Sequence, residues 1–326
     1  MDPTYPLVPV ANLLSAFLVF MSLLARSMRQ SWNAGVWMLG LWLFVQVLTV
    51  GVDTIAWSDN LEDLAPIWCD IVSHLEVGWR VGIPACSLLT TRRLFRIIRL
   101  TTVEPPGRRE KRYELLFDLF LGLGFPAVIM GLYWFVQGAR YGVLEEYGCS
   151  SATILSGVSF IIVYAWAILF PFISAFFYTP RIAWRFFRHS REVNCFLHSN
   201  GSISRPRYIR YMVIGCVDFL VGVAMGFLPF WAGWPDGHDV PVGDPAHSWK
   251  TRPWEVFNIK NNEWSGAFLA VVYFLILGLT GEAREMYRGL FWAAVRPFGW
   301  TPSSDESNIA SMLFERSDTS HTRESG

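Results

Sequence analysis

Seven stretches of about 20 mostly apolar residues constrain this chain more than any other feature, because backbone groups inside hydrocarbon must be bonded within their own segment and so form helices. They run from Leu7 to Ala25, Gly35 to Ile55, Ile71 to Leu94, Leu115 to Val136, Thr153 to Tyr178, Tyr208 to Trp231 and Trp264 to Gly281. With 52% hydrophobic and only 17% charged residues, the chain has more apolar surface than a soluble core can hide. The expected fold is an all-α membrane protein, a seven-transmembrane-helix bundle. Charges inside spans are few: Glu76 and Arg80 in the third and Asp218 in the sixth. Each costs about 2.5–3.5 kcal/mol near a helix centre if it faces lipid, so all three are expected to face the bundle interior.

Basic residues in short loops mark the cytoplasmic side. Arg26 and Arg29 follow the first span, Arg92, Arg93, Arg96, Arg99, Arg108, Arg109, Lys111 and Arg112 the third, and Arg181, Arg185, Arg188, Arg191, Arg205, Arg207 and Arg210 the fifth. The opposite connections are acidic, with Asp2, Asp59, Glu62, Asp63, Asp70, Glu145 and Glu146. This asymmetry predicts an extracellular amino terminus and a cytoplasmic carboxyl terminus. Residues 1–288 are expected to form the membrane domain, and residues 289–326 a short cytoplasmic tail whose Ser-, Thr- and acid-rich end is mostly disordered.

No HExxH, GxSxG or Walker loop is present, and the five cysteines form no CxxC pair, so neither an enzyme, a metal site nor a cofactor is expected. A formal net charge of zero gives no sign of nucleic-acid binding. Cys69, at the outer mouth of the third span, and Cys149, in the second outer loop, both lie on the oxidising side and form the natural disulfide pair, the alternative being two free thiols. Cys86 and Cys216 read as small core residues. Glu76 and Arg80, spaced i, i+4, could pair internally or present one charge to a ligand. Pro84, Pro126, Pro171 and Pro229 fall inside spans, where each removes an amide donor and opens or kinks its helix.

Several motifs, taken in order, resemble the fungal receptors for lipidated peptide mating pheromones, the a-factor type within the class D G-protein-coupled receptors. They are Trp32-Asn33-Ala34-Gly35, Ile67-Trp68-Cys69-Asp70-Ile71, Gly82-Ile83-Pro84-Ala85 and Arg92-Arg93-Leu94. Further along come Tyr147-Gly148-Cys149, Leu169-Phe170-Pro171 with Ser174 and Tyr178, the run Arg205, Arg207, Tyr208, Arg210, Tyr211, Met212, and Gly278-Leu279-Thr280-Gly281-Glu282-Ala283-Arg284. The resemblance implies a multi-pass plasma-membrane receptor that binds a farnesylated, carboxyl-methylated peptide outside and activates a heterotrimeric G protein inside. It also supports the Cys69–Cys149 pairing. Ser151 stands where the pattern has a proline two residues after the loop cysteine, and the third outer loop, Trp249 to Trp264, lacks the expected histidine and proline arrangement. Both departures bear on peptide specificity.

A farnesyl chain needs an apolar groove, for which Phe160, Tyr164, Trp166 and Phe230 are candidates, while Asp53, Asp70 and Glu76 would meet the polar part of the peptide, with Trp79 and Arg80 on the same helix. Arg92, Arg93, Arg205, Arg207 and Arg210 are the expected G-protein contacts. The rival readings are an orphan or constitutively active receptor-like protein and a small-solute transporter. Oligomeric state is not legible from the chain.

Overall fold

The computed structural model of the chain describes residues 5–27, 33–60, 64–99, 107–144, 147–154, 156–188 and 253–279, with the separate positions 213, 284, 286–289 and 295. The sixth span, apart from Val213, and the expected sites at Asp218, Cys216, Phe230, Arg205, Arg207 and Arg210 lie outside the described residues.

Helix α1 spans Leu7–Ser27, α2 Ala34–Ala56 and α3 Pro66–Arg99. Helix α4 begins at Arg108, passes through a π-turn at Phe120–Gly124 and ends in a 3-10 turn at Tyr133–Phe135. Helix α5 starts at Gly157, contains π-turns at Phe160–Tyr164 and Ser174–Tyr178, and closes with Thr179–Arg188. Helix α6 spans Pro253–Tyr273 and runs on through a π-turn at Phe274–Gly278. Among the described residues, four helices are long and apolar enough to cross a membrane: α1, α2, α4 from Arg109 to Phe135, and α5 from Gly157 to Ile182. Helix α3, with 34 residues, is about 50 Å long at 1.5 Å per residue but is less apolar than those four.

Two readings are corrected. The chain is not purely α-helical: β1 (Gly142–Leu144) and β2 (Gly148–Ser150) form an antiparallel hairpin that pairs Val143 with Cys149. Three-residue strands are too short to show an alternating pattern. The second correction concerns the stretch from Trp249 to Trp264, read as a loop, since α6 already begins at Pro253. Hydropathy reports where a segment turns apolar, and the polar run Asn258-Ile259-Lys260-Asn261-Asn262-Glu263 inside this helix hides its earlier turns.

Helix α3 is the hub. It packs on α2 along one side, on α4 and α5 along the other, and under β2 at one end, while α1 lies against both α2 and α6. One core gathers Val19, Met38, Trp42, Trp79, Ile83 and Tyr273; a second joins α3 to α4 and α5 through Val77, Val81, Ile129, Tyr133, Val163 and Phe170. Large apolar side chains such as Leu14, Phe17, Leu116, Phe120, Ile161 and Phe176 point outward, as a hydrocarbon surround requires.

Glycines and prolines set the closest approaches. A Cβ on Gly82 would stand 2.5 Å from the Trp42 indole, so the bare backbone of α3 admits that ring. The same ring's Nε1 donates to the Gly122 carbonyl at 2.9 Å. That carbonyl is the one Pro126, having no N–H, leaves without its i+4 partner, so the indole supplies the missing donor. Trp42→Phe keeps an aromatic ring but leaves that carbonyl only the weak Cys86 Sγ–H donor at 3.8 Å, and is expected to lower stability by about 1–2 kcal/mol, read as a lower Tm in detergent.

Candidate functional site

At one end of the bundle, Cys69 on α3 and Cys149 on β2 form a disulfide with their Cα atoms 5.1 Å apart. The hairpin lies close enough for a special backbone to be needed. Gly148 has φ +89°, and a Cβ there would meet Asp53 Cβ at 2.6 Å, so glycine satisfies both conformation and space. Asp53, buried near the end of α2, accepts from Trp68 Nε1 at 2.6 Å and from the Cys149 backbone N–H. A second tie runs from Asp70 at the head of α3 to Arg140, whose guanidinium engages both carboxylate oxygens, with Nε to Oδ1 at 2.7 Å.

Glu76 sits beneath the hairpin with only 3% exposure, and both of its oxygens are occupied. Oε1 accepts from Arg80 Nη2 at 2.7 Å, from Asn262 Nδ2 at 3.4 Å and from the Tyr147 hydroxyl at 3.5 Å. Oε2 accepts from the Ser151 N–H at 2.6 Å and the Ser150 hydroxyl at 3.5 Å. Asn262 Nδ2 also donates to the Tyr147 oxygen. Burial pushes the Tyr147 phenol well above its ordinary pKa, and the neighbouring Glu76 carboxylate acts the same way, so the phenol keeps its proton and remains a donor. Arg80 in turn lies over the Tyr164 ring, 5.4 Å from its centre, and the Tyr164 hydroxyl is 2.9 Å from Thr153 Oγ1.

The structure thus brings Glu76, Arg80 and Tyr164 into one connected set and places Asp53 and Asp70 around the same hairpin. Trp79 is separate, buried in the larger core. Trp166 packs edge-on against Phe125 at 4.9 Å, facing the second core. Sequence reading missed Tyr147 and Asn262 as members of this set.

At the opposite end, Arg92 reaches Asp118 at 3.9 Å and covers the Phe117 ring at 4.1 Å. Arg93 donates to Asn33 Oδ1 at 3.4 Å, and Arg96 pairs with Glu114. The arginines closing α3 are therefore held against α2 and α4.

A bundle of long apolar helices around a charged central helix, capped by a disulfide-tied hairpin, defines a polytopic helical membrane protein. Within that class, the chain belongs to the pheromone A receptor family, whose model matches residues 7–298. It is 30% identical to the pheromone B alpha 3 receptor of Schizophyllum commune over 92% of this chain and 49% of that protein. Similarity extends to pheromone receptor 2 of Mycosarcoma maydis, at 25% identity over 82% of this chain and 80% of the relative. The pheromone a factor receptor of Saccharomyces cerevisiae is 26% identical over 76% and 53% of the two chains. The chain spans about half the length of the Schizophyllum relatives it matches.

Proposed function

We propose that this chain is a seven-helix G-protein-coupled receptor of the plasma membrane that binds a farnesylated peptide mating pheromone and activates a heterotrimeric G protein. The amino terminus is outside and the carboxyl terminus in the cytoplasm, with residues 1–288 forming the receptor and 289–326 its tail. The observation that carries the reading is the Glu76 cluster, where charged groups are collected beneath a disulfide-tied hairpin at the end of the bundle opposite the arginine-rich terminus of α3. Family membership and the similarity to the yeast pheromone a factor receptor support the pheromone class.

In this reading the half-buried Asp70, Arg80, Tyr164 and Trp166 meet the peptide, together with Phe230. Asp53, Glu76 and Trp79, being buried, act from behind that surface. Arg92, Arg93, Arg205, Arg207 and Arg210 face the G protein, and the first two must leave Asp118 and Asn33 to do so.

A reporter yeast lacking its own lipopeptide receptor, expressing this chain and challenged with farnesylated and non-farnesylated peptides, should answer a farnesylated peptide in a dose-dependent way. Joint replacement of Arg205, Arg207 and Arg210 by Ala should abolish the signal while peptide binding persists. Surface display with no response to any peptide would refute the pheromone reading.

A further inference from the structure

We propose that Glu76 is a positioning residue that, through Tyr147 and Asn262, joins the hairpin to α6 so that the two shift as one unit. The inference rests on the receptor reading for its signalling consequence but on geometry alone for the joint itself. Three parts of the chain meet at this carboxylate: α3 through Glu76 and Arg80, the hairpin through Tyr147, Ser150 and the Ser151 N–H, and α6 through Asn262. The two short contacts, Arg80 at 2.7 Å and Ser151 at 2.6 Å, are charge-assisted and fix the carboxylate in place. The longer contacts, from Tyr147 at 3.5 Å and Asn262 at 3.4 Å, converge on the same oxygen, and their donors also bond each other.

A buried carboxylate whose two oxygens accept from different elements cannot release one without leaving a charged acceptor unsatisfied. Displacing the hairpin therefore withdraws Tyr147 from Asn262 and disturbs the α6 turn that begins there. Among the described contacts, Cys69–Cys149, Asp53 to Cys149 and Asp70 to Arg140 tie the hairpin region to α2 and α3. The Glu76 group is thus a route by which a ligand pressing on the hairpin reaches α6, and it acts without touching the ligand.

Amide hydrogen exchange on the purified full chain in detergent tests the joint, with Tyr147→Phe, Glu76→Gln and Asp70→Asn. Tyr147→Phe removes a single oxygen, so it serves even if Glu76→Gln fails to fold. Expected is exchange about tenfold faster, the equivalent of one buried hydrogen bond, in both residues 142–151 and residues 262–266 for Tyr147→Phe and Glu76→Gln. Asp70→Asn should accelerate the hairpin alone. In the reporter strain, at equal surface number, the first two variants should lower the maximal response to the most active farnesylated peptide, whereas Asp70→Asn should move only the half-maximal dose. Unchanged exchange in residues 262–266 for Tyr147→Phe, or an undiminished maximum in both variants, overturns the proposal. If no peptide activates the unmodified chain, the receptor reading falls while the exchange result still decides the joint.

Discussion

Cys69→Ser and Cys149→Ser are each expected to remove most receptor from the cell surface and to lower the Tm of the remainder more than any single polar substitution. The bridge spans 80 residues of sequence, and a chain-entropy estimate for a loop of that size is about 4–5 kcal/mol. It also fixes β2 across α3, so its loss frees the strand that presents Ser151 to Glu76 and Gly148 to Asp53. The double variant should be no worse than either single one, because the same bond is lost. Surface labelling and thermal unfolding in detergent would show this, and a double variant much less stable than either single one would mean that the cysteines contribute separately.

A loss of comparable size is expected from Gly82→Val. A Cβ at this position already falls 2.5 Å from Trp42 Cε2 and Nε1, and valine adds two further methyl groups against a ring whose Nε1 is held by the Gly122 carbonyl. The indole cannot retreat without breaking that bond, so α2 and α3 must separate, at a cost of about 3 kcal/mol or more. Gly131→Val on α4 is the control, since nothing lies within 4 Å of its Cβ. Size-exclusion profiles of detergent extracts should show aggregated Gly82→Val beside monodisperse Gly131→Val. A monodisperse Gly82→Val protein with normal Tm would overturn the close-packing account of Trp42.

Hydropathy located the first five described helices because each carries about 20 apolar residues, and the ends of α1 and α2 fall within two residues of those read from the chain. The Glu76–Arg80 pair was legible for the same local reason, an i, i+4 spacing that brings two side chains onto one face. The partners that complete the cluster were not. Tyr147, Ser151 and Asn262 lie 71, 75 and 186 residues from Glu76, and nothing local distinguishes them from surface loop residues. Tyr147 was legible only as part of the Tyr147-Gly148-Cys149 motif, and Asn262 lay within the stretch Trp249 to Trp264 read as an outer loop. Ser151 appeared only as a departure from a proline, yet proline has no N–H, and the N–H is what Glu76 binds at 2.6 Å. Arg92 and Arg93 were read as facing a partner because basic loops mark one side of a membrane; charge counting cannot see Asp118 on α4 or Asn33 at the start of α2, which hold them in this structure.

The two π-turns of α5 alter how that helix should be mapped. In each, the amide bonds five residues back, Ala165 to Phe160 and Thr179 to Ser174, so the ladder holds one residue more than an α-helical turn. At 3.6 residues per turn, one added residue rotates everything beyond it by about 100°. Cysteine or tryptophan scanning along α5 should therefore give two short periodic patterns out of phase with one another, over Ala165–Ile173 and Thr179–Arg188, with the break at Ser174–Tyr178. A single helical wheel drawn through the whole of α5 would assign lipid-facing positions to the interior.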